Sequence, residues 1–191
     1  MTLVRPQTEQ DLLPPFSHVG ETEWDTRLRR WLTAFDFDFG APSTEEELAE
    51  AESRLGTPLP ADWRVFLSAF GPLNLDSVQL TSPAQIGTLQ DVWFKSHLKD
   101  HDQQLLPQFL QVGECSSDNY IAFNISNGWI CECCHDPSGF WDWCPSFNDF
   151  LRLKLIGMWS GYYSWPDEQV RFLEDSLSSQ WTAEWKQRRL A

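Results

Sequence analysis

Cys131, Cys133, Cys134 and His135 are the densest run of metal-capable side chains in the sequence. Thiolate and imidazole both bind zinc, but a structural zinc site uses a knuckle with two to four residues between its cysteines and a second ligand pair elsewhere. In an extended segment Cys131 and Cys133 share one face while Cys134 takes the other. Cys115 or Cys144 could add ligands, yet no spacing demands it. The run therefore reads as small thiols buried in a sheet, with no metal and no cofactor expected. Five cysteines, an odd number in a chain of 191 residues, do not suggest a secreted disulfide framework. Reduced thiols in the cytoplasm are expected.

Nucleophilic chemistry has little support. The four histidines, His18, His97, His101 and His135, lie beside no nucleophile motif. The chain has no P-loop, no G-x-S-x-G, no H-E-x-x-H and no glycine-rich dinucleotide turn. Asp36 and Asp38 alternate with three phenylalanines, too few carboxylates for a calcium loop. The expectation is a protein that is not an enzyme.

Residues suited to binding another protein are more prominent. Of eleven tryptophans, Trp24, Trp31 and Trp63 sit on helical stripes that belong in a core. Trp129, Trp141 and Trp143 instead fall on strand-like segments beside Asp118, Glu132, Asp136 and Asp142, with Glu114 just after the strand-like run 109–113. Aromatic anchors inside an acidic rim are what a tight site for a basic protein requires. These eight residues form the expected partner-binding set. The competing reading has Trp141 and Trp143 filling the core, with Asp142 turned to water.

Charge bears on the choice of partner. The chain carries −14 overall: −7 over residues 1–60, −8 over 61–150 and +1 over 151–191. Such a field opposes nucleic acid and anionic membranes and attracts a basic partner, although it also serves solubility. No apolar run approaches the ~20 residues a bilayer span needs, and the first residues lack the basic start and apolar core of a secretory signal.

The elements that must position these side chains can be read from periodicity. Residues 1–20 are polar and proline-bearing, an arm expected to lie across the surface. Trp24, Leu28, Trp31, Leu32 and Phe35 mark an amphipathic helix. Phe35 to Gly40 is either a short strand with one wet face or an exposed tip. Ser43 and Glu46 are spaced as a capping box for a helix over Leu48, Ala51 and Leu55. Gly56 stops that helix, and Pro58 and Pro60 turn the corner into a second one carrying Trp63, Phe66, Leu67 and Phe70. Val78 and Leu80 suggest a strand, Pro83 to Leu89 a turn or short helix, Asp91 to His101 a further helix, and residues 109–113 a strand. Ile121, Phe123 and Ile125 alternate. Asn127-Gly128 is a strong hairpin signal, and Trp129 to Cys134 is the return strand. A turn at Asp136-Pro137-Ser138-Gly139 leads to Phe140 to Cys144, which gives a three-strand meander. Ser146 caps a helix with Phe147, Phe150, Leu151, Leu155 and Met158 on one side. One or two helices follow from Pro166, carrying Val170, Leu173 and Leu177, then Trp181 and Trp185. The order describes one α+β domain spanning residues 1–191, an antiparallel meander with helices packed on one side.

Leu55-Gly56, Leu59-Pro60-Ala61-Asp62-Trp63, Phe66-Leu67 and a closing glycine, followed by Asp118 to Phe123, Asn127-Gly128, Asp136-Pro137 and Ser146 to Leu151, resemble the ordered signature of the SUKH superfamily. The resemblance covers about residues 44–152, leaving an N-terminal arm and helix (1–40) and a C-terminal helical extension (160–191) outside it. It departs at Gly71-Pro72-Leu73-Asn74, where the family usually has a glycine pair. The resemblance implies a SUKH-like fold and a binding protein without catalysis: an immunity protein that occludes a cognate toxin, often a nuclease, or a regulatory scaffold with intracellular clients, as in the yeast relatives.

Overall fold

The computed structural model describes residues 5–37, 39–75, 77–92, 103–115, 118–135 and 138–177, side chains 135, 138 and 142 excepted. Six strands run in sequence order: β1 (Asn74–Leu75), β2 (Val78–Leu80), β3 (Phe109–Cys115), β4 (Tyr120–Asn124), β5 (Ile130–His135) and β6 (Ser138–Cys144). Every neighbouring pair is antiparallel, so the sheet is one continuous meander. The helices are α1 (Trp24–Ala34), α2 (Glu45–Leu55), α3 (Ala61–Phe70), the short α4 (Leu89–Val92) and α5 (Phe147–Tyr162). Residues 167–177 form a C-terminal helix. The α+β class and the antiparallel meander with packed helices are as the sequence implied. The meander is six strands long, not three.

The helical corner forms for the reasons its residues give. Gly56 closes α2 in the left-handed conformation at φ 67°. Trp63, Phe66, Leu67 and Phe70 are all fully buried, and the rings among them meet Trp24 of α1 and Phe147 of α5. Burying each contributes on the order of 1.5–3 kcal/mol before entropy is counted. The capping box sits one residue later than the spacing suggested. Thr44 Oγ1 accepts from the Glu47 N–H at 3.2 Å, and Glu47 Oε2 accepts from the Thr44 N–H at 2.7 Å. Ser43 is itself buried, its backbone N–H donating to Leu67 O at 2.9 Å.

Other segments depart further from expectation. The N-terminal arm is anchored, because Leu12 and Phe16 enter the main core. Phe37 and Phe39 pack against that core, and the Arg29 guanidinium lies 4.8 Å from the ring centres of both Phe39 and Phe70. Phe39 also makes an isolated bridge to Leu73, so Phe35, Phe37 and Phe39 hold core contacts, and the described residues of this stretch form no strand. β4 ends at Asn124, and Ile125 is exposed. Five residues, 125–129, connect β4 to β5, with Asn124 N–H donating to Trp129 O at 2.7 Å, and Gly128 takes φ 80°. The expected helix from Asp91 to His101 is described only as far as Val92. Asp136, Pro137, Trp181 and Trp185 lie outside the described residues.

The second face of the sheet carries its own small core. Leu89, Leu106, Phe109, Ala122, Trp129, Cys131 and Cys133 form it, with α4 and a 3-10 turn at Leu106–Gln108 laid over the strands. The Phe109 and Phe140 rings stack at 4.5 Å in the same cluster.

Candidate functional site

The eight expected binding residues are distributed over two faces. Trp129 is buried at 5% exposure in the second core, because strand alternation places it with Cys131 and Cys133. It offers a partner almost no surface, which corrects the expectation for this residue. Glu114 is exposed on that same second face, opposite Gln79 on β2 and Tyr120 on β4. Asp136 lies outside the described residues. Asp142 lies in β6 with its backbone opposite Cys131.

Glu132, Trp141 and Trp143 lie on the helix side of the sheet, while Asp118 sits in the β3–β4 turn, close enough to Tyr120 on the second face to act on its phenol. Glu132 on β5 stands directly opposite Trp141 on β6. Trp141 is 56% exposed. Its indole lies along its own strand over Gly139, where an added Cβ would come to 3.6 Å from Nε1. Trp143 is the extra residue of a β-bulge, since Ile130 pairs with Cys144 and Cys131 with Asp142. It is half-buried, edge-on to Phe150 at 5.7 Å, with Lys154 Nζ 4.8 Å from its ring centre. Trp143 therefore joins the core, as the competing reading had it, whereas Trp141 stays exposed.

The acid beside Trp141 is held in place. Asn119 Nδ2 donates to Glu132 Oε1 at 2.9 Å and contacts Cys134 Sγ at 3.4 Å. Asn119 is positioned in turn by the β3–β4 turn, where its carbonyl accepts from the Cys115 N–H at 2.7 Å. The exposed Asp118 precedes it at φ 61°, a left-handed conformation that aspartate tolerates better than most residues. Asn119 thus fixes one carboxylate, that of Glu132, opposite the exposed indole of Trp141.

The thiols are unsuited to nucleophilic work. Burial pushes the Cys133 and Cys144 thiols well up and raises those of Cys115 and Cys134, and nearby Glu132 adds to the rise at both of the latter. These four are neutral near pH 7. All five cysteines are free of disulfides. Among the described residues no three His, Cys, Asp or Glu side chains are grouped to hold a metal ion. No described helix is long and apolar enough to cross a membrane.

Fold and surface together define a class: an α+β meander with an exposed aromatic opposite a carboxylate held in place. The particular family follows from comparison with known proteins. The chain matches the SMI1/KNR4 family (SUKH-1) over residues 42–153, more than half its length, and belongs to that family. It is similar to the SPbeta prophage-derived uncharacterized protein YokK of Bacillus subtilis (strain 168), 27% identical over 164 aligned residues that take in 66% of this chain and 83% of that protein. No solved structure matches.

Sequence reasoning missed the second core and the side chain that aims Glu132. In the sequence Asn119 stands out only as part of a family signature. Its signal is local: a short amide in a turn next to a strand pair carrying a glutamate.

Proposed function

We propose that the chain is an immunity-type protein that neutralises a cognate basic toxin domain by binding over its working surface. The observation that carries this reading is Trp141, 56% exposed opposite a Glu132 fixed by Asn119, on a chain of net charge −14. Exposed tryptophan is the kind of residue that dominates binding energy when a partner desolvates it. The Glu132 carboxylate beside it and the net negative charge of the chain steer a basic partner and give the association its salt dependence. The mechanism is occlusion, and no residue of this chain needs to react.

The test is capture of the toxin domain encoded beside the gene, followed by titration of that toxin's activity. Stoichiometric inhibition that weakens with added salt and with Trp141→Ala supports the reading. Affinity unchanged in high salt and in Trp141→Ala, or turnover by the pure chain, would overturn it. Genes adjacent to it that encode no toxin would favour the family's regulatory-scaffold role instead.

A further inference from the structure

A cleft of about 280 Å³ opens on the second face of the sheet, between β2, β3 and α4. Its polar lining is Gln79, Thr81, Gln85, Gln111 and Glu114, with Leu80 and Val92 as the apolar wall. Among the described residues that line it there is no lysine or arginine. A second β-bulge builds it. Gln111 pairs with Ala122 and Gly113 with Ile121, so Val112 is the extra residue. Without the bulge, residues 111 and 114 would point to opposite faces; with it, both stand on this one. Gly113 makes the close approach possible, since a Cβ there would lie 2.6 Å from Gln79 O.

The result is a pair of aimed acceptors. Gln111 is 5% exposed, and its Nε2 donates to Glu114 Oε1 at 3.0 Å. An ionised carboxylate only accepts, so the amide must turn its NH2 group toward Glu114. The Gln111 carbonyl oxygen is left accepting no hydrogen bond from any described residue. Gln111 lines the cleft, so a donor that enters it can reach this oxygen. Tyr120, across from Glu114, has its phenol pushed up by burial and then by the charges of Glu114 and Asp118, the sign of a negative local field.

A carboxylate and a carbonyl fixed side by side over an apolar wall match a planar cation with donors on several edges and an aliphatic stem. That describes a guanidinium better than an ammonium, which is a compact point charge. The volume is below the range of about 300–1,000 Å³ typical for free small-molecule ligands, and suits one side chain.

We propose that this cleft is a socket for an arginine side chain projecting from the basic protein partner; the inference rests on the protein-binding reading above. The partner's arginine spans Glu114 and Gln111, with Gln79 and Thr81 at the rim and its methylenes against Leu80 and Val92.

The test titrates the full chain with ethylguanidinium and, at matched ionic strength, with ethylammonium, following the Gln111 side-chain amide and the backbone amides of Gln79, Gln111 and Glu114 by NMR. A saturable millimolar response at these positions is expected for ethylguanidinium, weakened about tenfold or more in Glu114→Gln. No saturable response there, equal binding of ethylammonium, or an unchanged Glu114→Gln variant would each overturn the socket. Free arginine binding far more tightly than N-acetyl-arginine methylamide would show a metabolite site and overturn it too. None of these failures touches the Trp141 surface, whose own test is capture of the toxin domain by Trp141→Ala.

Discussion

Asp62 on α3 accepts the backbone N–H of Asn148, the second residue of α5, at 2.8 Å. The next N–H of α5, that of Asp149, goes to Ser146 Oγ at 3.1 Å. Two of the four orphan donors at that helix start are thus satisfied, one from 86 residues away in sequence. The two blocks of the family signature, around residues 59–67 and 146–151, are joined by this contact. Asn148 extends it, its Oδ1 accepting from Val19 N–H at 2.9 Å and its Nδ2 donating to Ser17 O at 3.2 Å.

Asp62→Ala should therefore destabilise the fold by about 1–2 kcal/mol, the usual scale for losing a helix cap. Asp62→Asn keeps an acceptor oxygen and should recover most of that loss. Urea unfolding of the three proteins checks it. Equal stability of the alanine variant and the parent would mean that water replaces the carboxylate at no cost.

Two glycines at helix ends should respond differently. Gly56 and Gly71 both take φ 67°, but a Cβ added at Gly56 would meet open space, whereas at Gly71 it would lie 2.0 Å from Ala41 O. Gly71 also has ψ −165°, a region that is essentially glycine-only. Gly56→Ala should cost about 1–2 kcal/mol, the penalty of a left-handed L-residue. Gly71→Ala should cost several-fold more, or prevent folding altogether. Circular dichroism melts and the soluble yield distinguish the two.

What the sequence made legible follows from the range of each interaction. Trp63, Phe66, Leu67 and Phe70 repeat at helical spacing because one face of a helix meets the core, so local pattern alone was enough. Trp141 and Trp143 are also locally periodic, but whether each is covered depends on where α5 crosses the sheet, a relation that no short window contains. The bulges at Val112 and Trp143 change which residues share a face, and strict alternation cannot show them. The second core depends on Leu89, Leu106 and Phe109 meeting residues of β4 and β5, so the burial of Trp129 was hidden for the same reason.

Two tryptophans of the expected binding set should separate stability from binding. Trp129→Ala empties a buried site and should cost about 3–5 kcal/mol of stability. Trp141→Ala should leave stability within about 0.5 kcal/mol, yet weaken partner association by about thirtyfold if the indole anchors the interface. Denaturation and surface-binding measurements on the same preparations check both. A Trp141→Ala variant that unfolds as readily as Trp129→Ala would show that the exposed ring stabilises the fold and is not held ready for a partner.

The pH dependence of stability turns on Asp149. Burial raises its folded carboxyl above the ordinary value near 3.8, and the neighbouring Asp62 charge adds to the rise, against lowering by the Ser146 hydroxyl and by Arg152. A carboxyl whose folded value is raised binds its proton more tightly when folded than when unfolded. Stability from this group is thus greatest below the unfolded value and is lost as pH climbs through the raised folded value. Asp149→Asn removes the charge while keeping an oxygen for the Ser146 hydroxyl, which donates to Oδ2 at 2.7 Å. The variant should therefore gain on the parent at neutral pH, and the gap should close as pH falls toward 4. Asp11 and Glu45 work in the opposite sense, since backbone hydrogen bonds from Gln7 and Thr8 and the contact with Arg64 hold their carboxyls below the usual range. Their contribution is present above the unfolded value and disappears as pH falls through the lowered one, so the acid limb of the parent's curve should persist in Asp149→Asn. Urea midpoints of parent and variant between pH 4 and pH 7 decide the sign: a gap that widens toward pH 4 would mean that Asp149 is stabilised as the anion after all.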